Sequence, residues 1–181
     1  MSTYISGGCK NGKSFYAQRV AKAGGTPLYY IATMIPHDSE DHARIRRHRD
    51  ERAGWGFETL ECYRNIGSIS VPGNSNVLLE DLGNLAANEL FGGSVFSEEE
   101  KNALPDRIAE EIEALRTGCA HLTIVTNEVF SGGKNYEGDT LSYLMVLAKL
   151  GRLLATRADY VVEVVCGLPD VLKGPEQETE Q

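Results

Sequence analysis

SGGCKNGKSFYAQ, residues 6–18, is the stretch whose reading decides the fold. Within it, Gly7, Gly8, Cys9, Lys10, Asn11, Gly12, Lys13 and Ser14 fit G-x-x-x-x-G-K-[ST] in full. Each part of that pattern has a physical reason. Glycines let the backbone turn so that several N–H groups converge on one anion. The helix opening near Ser14 adds the positive end of its dipole. Lys13 is placed to reach the β- and γ-phosphates of a nucleoside triphosphate and to act in phosphoryl transfer, and the Ser14 hydroxyl is placed to ligate Mg²⁺. Lys10 adds charge without an evident catalytic role. An ordinary glycine-rich turn is the competing reading. The context favours the phosphate loop, because a short apolar strand precedes it and a helix follows.

Working outward, several short runs read as buried strands: Tyr4 to Ser6, Leu28 to Thr33, Val77 to Glu80, Leu122 to Thr126 and Tyr160 to Val165. Most are apolar on both alternating faces, as expected of a parallel sheet covered on each side. Helical patterns lie between them, at Ser14 to Ala23, Asp41 to Arg52, Pro105 to Arg116 and Asp139 to Arg157. Alternating strand and helix predict an α/β fold. Together with the loop, the expectation is a P-loop NTPase-like domain with a mostly parallel central sheet and helices on both faces. It spans residues 1–173 as one nucleotide-binding domain, and the polar stretch 174–181 is expected to be a disordered tail.

A phosphate loop needs a second acid for its metal, at the end of a neighbouring strand. Val77-Leu78-Leu79-Glu80-Asp81 supplies two. Glu80 directly follows the apolar run and is the first choice, paired with Ser14 as metal ligand; Asp81 is the alternative, and solvated strand-end carboxylates are the plain reading. A second concentration of charge lies in Ala43 to Arg52, with five arginines around His48. On a helix, Arg44 and Arg47 lie on the His48 side, and Arg52 lies one turn beyond. Most arginine-rich helices are simply solvated faces. Here the cluster opposes the acidic balance of the chain, and nearby cations favour the basic form of the imidazole. A neutral imidazole can attack phosphorus while guanidinium groups balance phosphate charge. The spacing of His37, His42 and His48 does not put three metal ligands on one helical face. His121 precedes a strand and carries no signal.

The composition narrows the classes further. Of 181 residues, 41% are hydrophobic and 24% charged, and the net charge is −8. An acidic chain is a poor general binder of nucleic acid or anionic membrane, and no aromatic platform interleaves the one basic segment. No stretch is long and apolar enough to span a membrane. Cys9, Cys62, Cys119 and Cys166 are scattered and form no C-x-x-C pair, so a reduced cytoplasmic protein is expected.

In order along the chain stand the loop GGCKNGKS, YIAT at Tyr30 to Thr33 and RIRRHRDER at Arg44 to Arg52. After them come Thr59 and Glu61 in ETLE, LLED at Leu78 to Asp81, Asn88 in ANELF, and TNEV at Thr126 to Val129. From about Tyr4 to Gly167 the chain resembles the bifunctional adenosylcobinamide kinase and adenosylcobinamide-phosphate guanylyltransferase family. The resemblance implies two linked reactions. A nucleoside triphosphate, ATP or GTP, phosphorylates the aminopropanol hydroxyl of the corrinoid. GTP then gives GMP to an active-site histidine with release of pyrophosphate, and the phosphorylated corrinoid takes up the GMP. The guanylylated histidine falls on His48, the loop lysine and serine on Lys13 and Ser14, and the strand-end acid on Glu80. Arg44, Arg47, Arg52 and Glu61 become candidate nucleotide contacts, although Arg47 stands where relatives often carry a second histidine. The resemblance also implies a homotrimer.

The last third departs from the family pattern. After TNEV the chain reads Phe130-Ser131-Gly132-Gly133-Lys134-Asn135 in place of a Gly and a GIVP-like turn. Leu141 to Arg152 has lost nearly all the polar positions of the family helix, with Tyr143 keeping the aromatic. The family tryptophan before the T-x-E pair is Phe57, after an insertion that brings Trp55. These departures leave open a relative that keeps one of the two steps, and a non-catalytic GTP- or ATP-binding protein.

Overall fold

The computed structural model describes residues 1–93, 96–132 and 135–175. Its elements are β1 (Ser2–Gly7), α1 (Lys13–Ala23), β2 (Leu28–Ala32), α2 (Ser39–Glu51), β3 (Phe57–Glu61), β4 (Asn76–Glu80), α3 (Leu82–Phe91), α4 (Glu98–Thr117), β5 (His121–Val125), α5 (Gly138–Arg157), β6 (Tyr160–Val165) and β7 (Leu168–Lys173). A 3-10 turn at Ile66–Ser68 follows β3. The strands form one seven-stranded sheet in the order β3-β2-β4-β5-β1-β6-β7. All neighbours are parallel except β7, which runs antiparallel to β6.

The expected layering is present. One face of the sheet packs Tyr4, Val77, Leu79 and Leu122 under α3, α4 and α5, with Leu85, Ile108, Ile112 and Leu150 buried. The other packs Ile5, Leu78, Tyr30 and Val162 against Ala17 and Ala21 of α1. β4 and β5 are central and buried on both faces, so they read as continuous apolar runs. The two edges explain what the sequence pattern did not reveal. β3 (FETLE) is polar because it is an edge with two largely solvated faces. β7 is exposed along its whole length, and its Pro169 suits an edge.

Helix boundaries also differ from expectation. α4 begins at Glu98, because Ser97 and Glu100 form a reciprocal capping box. Pro105 is therefore a buried interior residue rather than the helix start. α3 directly follows Asp81, whose side chain accepts the Asn84 N–H at 2.7 Å. His121 lies inside β5 rather than before it, buried and 2.9 Å from the Thr3 hydroxyl. The tail expected at 174–181 falls outside the described residues from 176 onward, as do Gly133 and Lys134. No helix among the described residues is long and apolar enough to cross a membrane.

Candidate active site

The loop between β1 and α1 has the form a phosphate requires. Gly12 sits at φ 90°, ψ 1°, left-handed geometry that a side chain would strain, and its Cβ would press on Gly167. At Gly7 a Cβ would run into the Asn11 side chain and the Val164 carbonyl. Asn11 is more than a variable position. Its amide nitrogen donates to the Val164 carbonyl and its oxygen accepts the Lys13 N–H at 3.2 Å, so it braces the loop against β6. From the other side the Glu128 N–H donates to the Gly7 carbonyl at 2.9 Å. The N-cap residue of α1 has no side chain to cap it, which leaves the helix start suited to an anion. Lys13 is buried, and its Nζ donates to the Gly8 carbonyl at 3.0 Å across the loop. Cys9 and Lys10 are exposed, with Lys10 at φ 56°.

Glu80 meets the loop as expected. The Ser14 hydroxyl donates to Glu80 Oε1, bringing together two groups 66 residues apart. Asp81 has another task. Besides capping α3, its Oδ2 accepts from Asn127 Nδ2 at 3.2 Å. Thr33 locks the turn, because its hydroxyl donates to the Asp81 carbonyl and accepts the Asp81 N–H, both at 2.8 Å. Asn88 ties Thr33 to the segment after β3, donating to the carbonyls of Thr33 at 2.7 Å and Tyr63 at 3.0 Å. Asn88 and Thr33 were visible only as parts of motifs. Their bracing roles follow from bonds spanning 25 and more residues.

Beyond Glu80 lies a cavity of about 320 Å³ between α2 and the C-terminal ends of β2, β3 and β4. Its apolar wall includes Met34 and Ile45, and its polar wall Thr59, Glu61, Arg49 and Arg52. Glu61 accepts from Arg49 Nη2 at 2.9 Å and from the Tyr63 hydroxyl at 2.8 Å. Arg52 is only 7% exposed and stacks on Tyr30, its guanidinium carbon 3.5 Å from the ring centroid. Burial, and then the charge of Glu80, raise the Tyr30 hydroxyl well above its ordinary pKa, so it remains a protonated donor. Asp38 caps α2, accepting the N–H groups of Glu40 and Asp41. Among the described residues of α2 none is buried, and Arg47 is exposed. The side chains of Arg44, His48 and Glu51 lie outside the described residues. The structure thus joins Gly7, Gly8, Asn11, Gly12, Lys13, Ser14 and Glu80 in one cluster, and Arg52 and Glu61 in the adjoining cavity.

The match to known proteins covers this whole arrangement. The family model for cobinamide kinase / cobinamide phosphate guanyltransferase matches residues 3–172. The chain belongs to the cobinamide kinase / cobinamide phosphate guanyltransferase family. It is 33% identical over 180 residues to the bifunctional adenosylcobalamin biosynthesis protein CobU of Salmonella typhimurium, covering 93% of this chain and 97% of that protein. It is 29% identical to CobU of Escherichia coli over 178 residues, covering 93% and 97%. It is 31% identical to the bifunctional adenosylcobalamin biosynthesis protein CobP of Pseudomonas aeruginosa over 181 residues, covering 96% and 98%. Membership in the guanyltransferase family makes the chain a kinase and nucleotidyltransferase of cobalamin biosynthesis.

Proposed function

We propose that the chain carries out both steps with two sets of groups. The loop from Gly7 to Ser14, with Lys13, holds a nucleoside triphosphate for phosphorylation of adenosylcobinamide. His48 takes GMP from GTP and passes it to the corrinoid phosphate, while Arg44, Arg47 and Arg52 balance phosphate charge and Glu61 contacts the nucleotide. The observation that carries this reading is the Ser14–Glu80 contact at the mouth of the loop. It joins a hydroxyl and a carboxylate, the hard oxygen donors that suit Mg²⁺ beside a bound triphosphate. Ser14 and Glu80 would hold the ion, which would neutralise charge developing on the transferred group. Lys13 binds the phosphates, and the N–H groups of the loop backbone orient them.

In the second step the imidazole of His48 attacks the α-phosphorus of GTP, a P–N bond forms and pyrophosphate leaves. An oxygen of the corrinoid phosphate then attacks the same phosphorus, a P–O bond forms and the P–N bond breaks. After incubation with Mg²⁺ and GTP, mass spectrometry is expected to find one added GMP on His48, absent in His48→Ala. An unmodified wild-type chain would sink this half of the reading. We also propose a cytoplasmic homotrimer. Exposed apolar side chains on α5 (Leu141, Met145) and β7 (Leu168, Val171, Leu172) support association.

A further inference from the structure

Arg52, in the cavity wall, carries a buried donor whose hydrogen bonding is incomplete. It is more than nine-tenths buried, and its Nη1 has no hydrogen-bond partner among the described residues. A buried donor left unmade is costly, and a buried guanidinium more so. Such a group calls for a ligand. Arg49, three residues earlier, makes a useful contrast. It is half exposed and already paired with Glu61, whose other oxygen is held by Tyr63. Arg52 instead stacks on the Tyr30 ring, which fixes the plane of its donor fork. A planar fork with an unpaired Nη1 matches a phosphate better than a lone carboxylate contact or a water.

The position of Arg52 decides which phosphate. The loop follows β1, and Tyr30 lies in β2. In the sheet order β5 and β4 stand between them. At roughly 4.8 Å per strand, β2 is about 14 Å from β1. Glu80 at the end of β4 lies between, touching Ser14 on the loop side and lining the cavity on the other. A phosphoryl group leaving the loop past the Ser14–Glu80 pair would therefore enter the cavity where Arg52 waits. The carboxylates of Glu80, Asp81 and Glu61 share that cavity. Asp81 and Glu61 already accept hydrogen bonds, and a cation at Ser14–Glu80 would offset the third.

We infer that Arg52 and the Tyr30 face form a subsite for the phosphate of the phosphorylated acceptor, separate from the triphosphate loop. This rests on the two-step reading above and refines it: the product of the first reaction would be gripped where the second reaction needs it. The subsite selects the phosphorylated corrinoid over the free alcohol.

The test is calorimetric titration of the full chain with adenosylcobinamide and with adenosylcobinamide phosphate. Wild type is expected to bind the phosphorylated corrinoid roughly 30-fold more tightly or better. Arg52→Met is expected to erase that preference, and Arg52→Lys, with the charge but without the stacked fork, to restore part of it. Thermal melts establish that each variant is folded, and Arg52→Lys serves if Arg52→Met is not. Equal weakening of both corrinoids, an undiminished preference in both variants, or a loss confined to GTP binding would each overturn the subsite. The His48 adduct reports separately on the underlying reading. An adduct without any phosphate preference sinks the subsite alone, and a missing adduct sinks the transferase reading itself.

Discussion

At the scale of single residues, the loop separates side chains proposed to act from side chains that shape it. Lys13 and Ser14 point into the site, whereas Asn11 pins the loop to β6 and Gly12 permits its turn. Lys13→Ala removes the one buried cation that crosses the loop. Phosphoryl transfer to adenosylcobinamide, followed with γ-labelled nucleotide, is expected to fall roughly 100-fold or more. A change under threefold would remove Lys13 from the reaction. The loop pattern was fully legible in the sequence because its spacing is local. The bracing by Asn11 was not, since its partner Val164 lies 153 residues away.

At the scale of elements, the site depends on short polar ties between segments distant in the chain. Asn88 on α3 holds the end of β2 and the segment after β3 by two hydrogen bonds. Asn88→Ala would leave two carbonyls without this donor and cost about 1–3 kcal/mol. Its denaturant midpoint is expected to drop, and turnover measured well below that midpoint to fall as well, because the Thr33 clamp on Asp81 loosens. Unchanged turnover would confine Asn88 to stability. A second tie is ionic. Glu89, with its side chain 4% exposed, accepts from Arg107 at 2.7 Å and from the Asn65 N–H at 2.6 Å. Arg107→Ala leaves a buried carboxylate with the backbone donor alone, an expected loss of about 2–3 kcal/mol in urea unfolding. At the N-terminus of α4, Ser97→Ala should cost about 1 kcal/mol by removing one arm of the capping box.

At the scale of the whole molecule, acid sensitivity is built into the opposite end of the sheet. His121 is buried beside Thr3, and burial first, then the nearby N-terminal amine, lower its pKa, while Asp159 works the other way. The folded chain therefore binds this proton less readily than the unfolded one. The resulting stability is present above the unfolded pKa of about 6.5 and is lost as pH falls through the folded value. Thermal midpoints should decline below about pH 6.5, with a shallower slope in His121→Gln. An identical slope would assign the acid sensitivity to other groups.

The sequence alone determined the layered α/β class, the central strands and the loop pattern, and it put Glu80 ahead of Asp81 as the acid that meets the loop. Those features are carried by local spacing or by continuous apolar runs, which burial on both faces demands. The arginine cluster around His48 was equally visible as a pattern. Tertiary structure alone decided the edges β3 and β7, the start of α4 at its capping box, and the burial of His121. It alone stacked Arg52 on Tyr30 beyond Glu80. Edge strands lack the two-sided burial that marks a strand in sequence, and the partners of Asn11, Asn88 and Arg52 come from distant segments that only the fold brings together.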